Sequence, residues 1–213
     1  MKLNKIKISL VLSIALLIGS CSDKQATFKL PVLGEKISNA NSKDTIYHQI
    51  VAFELTNQYG ETVSIKTVEG KIYVANFFFA TCQSICPEMS TNLITVQKAF
   101  ANDDSLLILS HSVNPLHDTV EVLKNYAGMY SAIKNKWHLL TGNKSMIYSL
   151  AKDSYLVNAL EDDGTPEGFL HSELFLLIDS KQRIRGMYDG TDKPQVLKLI
   201  EDIKLLKTED KRL

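Results

Sequence analysis

The chain has 213 residues, 45% hydrophobic and 23% charged, with 24 Lys plus Arg against 24 Asp plus Glu. This composition argues against a disordered or repetitive chain and suffices for one domain with a real core. With no basic stripe, aromatic interleaving or phosphate loop, it also argues against a nucleic-acid partner.

The first residues stand apart from that core. MKLNKIK is cationic, ISLVLSIALLIG is apolar, and GSC is a small-residue approach to Cys21, the layout of a secretory signal. The apolar run is short of the ~20 residues needed to span a bilayer, which weighs against an uncleaved anchor with an incidental cysteine. IGSC ending at Cys21 resembles a bacterial lipobox, where cleavage exposes the cysteine and its thiol takes lipid. Residues 1–20 are therefore expected to be a lipoprotein signal peptide. Lipid on Cys21 would hold the exported chain on a membrane, on the extracytoplasmic (periplasmic) side. Loss of Lys2, Lys5 and Lys7 leaves 21 basic against 24 acidic residues, a charge of −3. It also resolves the cysteine count: three is odd for an exported protein, and lipid on Cys21 leaves Cys82 and Cys86 as a pair.

Residues 21–46 are polar and read as a flexible tether, except LPVLGE, which is apolar enough to pack. A domain over residues 47–207 follows. QIVAFELTNQYGETVSIKTV predicts two alternating strands around the turn NQYG. KIYVANFFF is apolar enough for a strand buried on both faces, and the loop ATCQSICPEM comes directly after it. Met89, Leu93, Val96 and Phe100 then recur at helical steps. SLLILSHSV is a second buried strand. DTVEVLKNYAGMY predicts a helix opened by Asp118, with Glu121 in capping-box position. KWHLL is a short strand, and TGNKSMIYSLAKD a short helix begun by Thr141. The stretch SYLVNALEDDGTPEGFL is long for a connection and therefore a candidate functional loop. ELFLLID and QRIRGMYD form strands around SKQ. DKPQVLKLIEDIKLL closes the domain as a helix with Pro194 in its first turn, and residues 208–213 are a polar tail. This alternation predicts an α/β fold: a single domain with a mixed sheet and helices on both faces.

The cysteines sit where the first buried strand gives way to its helix. Pro87 restricts Cys86 to extended geometry and suits a first helical turn, so Cys86 is expected as the helix cap. If the helix instead starts a turn earlier, the four-residue step puts both sulfurs on one face. Either way the thiols lie near the positive helix end, which favours thiolate. Oxidoreductases of the thioredoxin type have two residues between their cysteines; this loop has three, QSI, and more freedom to open around an ion. Two thiolates suit a soft cation, with Cu(I) the softest. A structural zinc site would need four ligands. A plain disulfide is the alternative, though so short a closure constrains the unfolded chain little. A third ligand should be a histidine. His171, in GFLHSELFLLID, precedes a core strand. His138 fits a satisfied strand residue, His111 and His117 flank a strand end and a helix start, and His48 lies at the edge of the ordered region.

These stretches resemble the Sco/SenC family of copper proteins, which assist cytochrome c oxidase assembly. The resemblance covers roughly residues 50–206 and is carried by GKIYVANFFFATCQSICPEM, SVNPLHDTVEVLKNYA, WHLLTG and LHSELFLLID. It implies a thioredoxin-like fold and a copper site built from Cys82, Cys86 and His171, roughly trigonal around Cu(I), with His171 weighing more for Cu(II). It further implies a membrane-held protein that passes copper to a respiratory oxidase subunit or other acceptor, or reduces that acceptor's cysteines. Cys82 and Cys86 would also be its redox pair, their disulfide abolishing metal binding. Asn114 stands where the family often has aspartate in SVDP. The competing class is an enzyme of the same fold, a thiol-disulfide oxidoreductase or a thiol peroxidase. A peroxidase would need an arginine beside a cysteine, and the only arginines are Arg183, Arg185 and Arg212.

Overall fold

The computed structural model describes residues 29–38, 45–157 and 172–210. The expected signal peptide, Cys21, His171, Arg212 and most of the long loop before His171 lie outside the described residues. In chain order the elements are β1 (Lys36–Ser38), β2 (Thr45–Tyr47), β3 (Glu54–Asn57), β4 (Thr62–Ser64), α1 (Ile65–Val68), β5 (Ile72–Phe78), α2 (Cys86–Ala99) and β6 (Leu106–Ser112). There follow α3 (Val120–Met129), β7 (Trp137–Thr141), α4 (Lys144–Ser149) with a π-helical turn (Leu150–Ser154), β8 (Leu174–Ile178), β9 (Ile184–Asp189) and α5 (Lys193–Asp210). β1 and β2 pair with each other, and the remaining strands form one mixed sheet in the order β4-β3-β7-β6-β5-β8-β9. β5, β6 and β7 run parallel; β3, β4 and β8 join antiparallel to their neighbours, as does β9 to β8.

The sheet is covered on both faces, and its central strands show it. β5, β6 and β7 are buried at every position, as the largely apolar runs of KIYVANFFF and SLLILSHSV anticipate. Successive side chains on a strand point to opposite faces. Phe78 packs its ring against Tyr126 of α3, centroids 5.1 Å apart. Its neighbour Phe77 packs against Tyr155, just past the π-helical turn, at 5.6 Å. The stripe Met89, Leu93 and Val96 is buried, as the helical spacing requires. Polar groups inside the sheet are satisfied across strands: the Ser110 hydroxyl donates to Asn76 Oδ1 (2.6 Å), and Trp137 Nε1–H donates to Ser110 Oγ (2.9 Å).

Three helix starts differ from the sequence reading. α2 begins at Cys86 itself with Ile85 as its cap; the Met89 N–H reaches the Ile85 carbonyl (3.0 Å), and Pro87 has no N–H to lose in this turn. α3 is capped by Thr119, whose hydroxyl accepts from the Val122 N–H (3.4 Å), because the Asp118 carboxylate is engaged elsewhere. α4 is capped by Asn143 through the Met146 N–H (3.0 Å), Thr141 being held as the last residue of β7. Among the described residues no helix is long and apolar enough to cross a membrane.

The LPVLGE stretch, read above as apolar enough to pack, is docked. Leu30 is buried, and the Leu33 N–H donates to the Ile184 carbonyl (2.8 Å). Arg185 holds this segment down, donating to the carbonyls of Pro31 (2.9 Å) and Leu30 (2.7 Å). The same guanidinium pairs with Asp179 (3.1 Å) and Glu209 (2.6 Å). At the far end, α5 runs on to Asp210.

Candidate metal centre

β5 ends at Phe78 and α2 starts at Cys86, so the segment between them carries one sulfur and delivers the other. Both Cys82 and Cys86 are buried and stand as two thiols, with no disulfide between them. The segment turns tightly at its start, where the Cys82 N–H donates to the Phe79 carbonyl (3.2 Å). Ser84 Oγ lies 3.5 Å from Cys82 Sγ. Burial pushes the Cys82 thiol up, but donors from the Cys86 thiol, the Ser84 hydroxyl and the N–H groups of both residues outweigh it and leave its pKa lowered. Cys86 sits in the first turn of α2, at the positive end of the helix dipole. The donors around Cys82 favour its thiolate, the form that binds metal or attacks a disulfide.

The segment is tied to the end of β6. The Val113 N–H donates to the Phe78 carbonyl (2.9 Å), and the Ala80 N–H donates to Asp118 Oδ2 (3.0 Å). Asp118 has no exposed surface. Its carboxylate also accepts from the Ser112 hydroxyl (2.6 Å) and from His117 Nδ1 (2.9 Å). Beneath Cys86, the Tyr126 and Ser90 hydroxyls are 2.8 Å apart; burial raises the Tyr126 hydroxyl, and the neighbouring charges of Tyr130 and Cys86 add to that. Sequence reasoning placed Asp118 in a helix start and passed over Ser112 and Tyr126. The signal available was the run SHSVNPLHD, which puts a hydroxyl and a carboxylate six positions apart around a turn.

The remaining histidines sort by burial. His138 is buried with Nδ1 3.3 Å from Asn57 Nδ2, and burial lowers its pKa: a satisfied strand residue. His48 Nε2 lies 2.7 Å from the Ser154 carbonyl. His111 is fully buried and stacked on Phe77 (5.0 Å), and among the described residues Nε2 has no hydrogen-bond partner; burial takes its pKa down to about 4. His117 is half-exposed and held by Asp118. Among the described residues no three His, Cys, Asp or Glu side chains could together hold a metal, so a two-sulfur site would need a ligand from elsewhere. The sheet indicates one direction. β8 runs antiparallel to β5 with Ala75 opposite Leu176, and continuing that register sets Leu174 opposite Phe77 and Ser172 opposite Phe79. The buried Ser172 therefore enters the sheet at the end that carries the cysteines.

The model of the SCO1/SenC family matches residues 42–206. A SCO1/SenC family lipoprotein from Bacillus anthracis is 31% identical, with a TM-score of 0.68 over 75% of this chain and 95% of its own. BsSco, described as a member of the Sco family of cytochrome c oxidase assembly proteins with a disulfide switch, is 29% identical, with a TM-score of 0.66 over 76% of this chain and 94% of its own. ScoI of Bradyrhizobium japonicum, solved with copper bound, is 26% identical, with a TM-score of 0.60 over 73% of this chain and 98% of its own. These relatives share the thioredoxin-like fold.

Proposed function

The chain belongs to the SCO1/SenC family, and we propose that it is a membrane-anchored copper-binding protein serving the copper site of a respiratory oxidase. Cys82, Cys86 and His171 hold the metal, and lipid on Cys21 keeps the protein on the extracytoplasmic side, near a membrane-bound acceptor and at raised effective concentration. The observation that carries this reading is the pair of buried thiols with a lowered Cys82 pKa. They lie at the sheet end where the chain enters β8 just after His171. Two soft sulfurs and an imidazole suit copper, which here is cargo: it would leave by ligand exchange with the acceptor's own thiolates.

The same dithiol could instead act on the acceptor's cysteines. One thiolate would attack the acceptor disulfide, the second would close the Cys82–Cys86 disulfide, and two electrons and two protons would end on the acceptor's thiols. The disulfide switch described for BsSco favours keeping this reading. A thiol peroxidase is less well supported, since Arg183 and Arg185 both bind Asp179 beyond the far end of β8 from the cysteines. Copper titration of the reduced lipidated protein in detergent separates these readings. Equimolar Cu(I) binding, with a Cu(II)–thiolate absorption lost in Cys82→Ser and Cys86→Ser, is expected. Disulfide reduction without copper affinity would overturn it. His171→Ala should weaken Cu(II) binding more than Cu(I); equal losses would remove His171 from the ligand set.

A further inference from the structure

Asp118 is fully buried, and its carboxylate accepts from the Ala80 N–H (3.0 Å), the Ser112 hydroxyl (2.6 Å) and His117 Nδ1 (2.9 Å). Removing a carboxylate from water is costly unless bonds of this kind replace its hydration. Helix capping does not account for it, because Thr119 caps α3. What the carboxylate joins is the cysteine segment, just ahead of Cys82, to the last residue of β6 and the loop that follows. Burial does not separate the two halves of the segment, since Ala80 is half-buried and Thr81 exposed, as Ile85 is half-buried and Gln83 and Ser84 exposed; the bond from the Ala80 N–H to Asp118 does.

We infer that Asp118 is a positioning residue for the cysteine pair, clamping the Cys82 side of the segment to the end of β6. The sulfurs must change separation among dithiol, disulfide and metal-holding states. With Ala80 clamped, that change falls on Gln83, Ser84, Ile85 and the first turn of α2. Cys82 is then the fixed sulfur and Cys86 the one that moves. The metal readout of this inference rests on the copper reading above; the thiol readout does not.

The test uses the full chain and two measurements: Cu(II) affinity, and the equilibrium constant of the Cys82/Cys86 dithiol against glutathione. Asp118→Asn keeps the side chain's shape but presents an N–H₂ where one oxygen accepted. Copper affinity should fall about tenfold, the size usual when a group that orients a ligand is changed. The glutathione constant should move by at least about threefold, since both redox states depend on the sulfur positions. Thr119→Ala, on the same loop, should lower the urea midpoint and leave both readouts unchanged. Should Asp118→Asn not fold, Ser112→Ala, which removes one bond to the carboxylate, is expected to move both readouts in the same direction. Readouts within twofold of the unaltered protein in the folded variants overturn the inference, as do losses that Thr119→Ala reproduces. If the unaltered protein binds no copper, the copper reading fails and the glutathione constant alone decides this one.

Discussion

At the scale of single residues, donor geometry around one sulfur and burial of one imidazole lead to separate measurements. Ser84 and the neighbouring N–H groups favour the Cys82 thiolate. Alkylation of Cys82 by iodoacetamide should therefore reach half its maximal rate below the pH of an ordinary cysteine. Ser84→Ala should move that point upward; no movement would mean the hydroxyl contributes nothing to the thiolate. His111 titrates near pH 4 in the fold, below its unfolded value of 6.5. Its folded pKa is depressed, so the unfolded chain takes up the proton first. The contribution is complete above pH 6.5 and is lost as pH falls toward 4, with about 2 kcal/mol gone by pH 5. Urea unfolding at pH 7 and pH 5 should show this loss. His111→Leu should reduce it by most of that amount, leaving the smaller part due to His138, which burial shifts the same way.

Between elements, the parallel strands are tied by polar side chains as well as by their ladder. Ser110 on β6 links Asn76 on β5 to Trp137 on β7. Ser110→Ala leaves an amide oxygen and an indole N–H buried without that partner, and should cost about 2–3 kcal/mol of unfolding free energy. Copper binding should survive, since the link lies below the strand ends that carry the cysteines. A loss under about 0.5 kcal/mol would mean that water replaces the hydroxyl.

For the molecule as a whole, one guanidinium joins three distant parts of the chain. Arg185 sits on β9, Asp179 after β8, Glu209 near the end of α5, and Leu30 and Pro31 in the segment ahead of β1. Asp179 is fully buried and Arg185 nearly so. Arg185→Leu would leave the fully buried Asp179 with Arg183 alone and the largely buried Glu209 without its countercharge, a loss of about 3 kcal/mol. It should also free the leading segment, so limited proteolysis should cut between residues 29 and 50 before the core is attacked. Uniform resistance there would show that Leu30 packing alone holds the segment. The docked segment approaches the sheet at the start of β9, the end remote from the cysteines. If the chain is tethered through residues ahead of Lys29, this geometry turns the thiols away from the tether.

Much of this was legible from local pattern. Buried strands announce themselves because a strand covered on both faces must be mostly apolar, as KIYVANFFF and SLLILSHSV are. The α2 stripe follows from 3.6-residue periodicity, and the cysteine pair from spacing with Pro87 behind it. Local rules placed Asp118 and Thr141 as helix starts because each residue type caps well in isolation. Only the folded sheet showed that the Asp118 carboxylate is drawn to Ala80 and Ser112, and that Thr141 belongs to a strand. Docking of Leu30 likewise depends on Arg185 and Glu209, more than 150 residues away. Sequence alone determined which side chains could perform soft-metal or thiol chemistry, since that is a property of the atoms. Their burial, the donors around Cys82 and the clamp on its segment were decided by tertiary structure, because each arises from groups that only the closed sheet brings together.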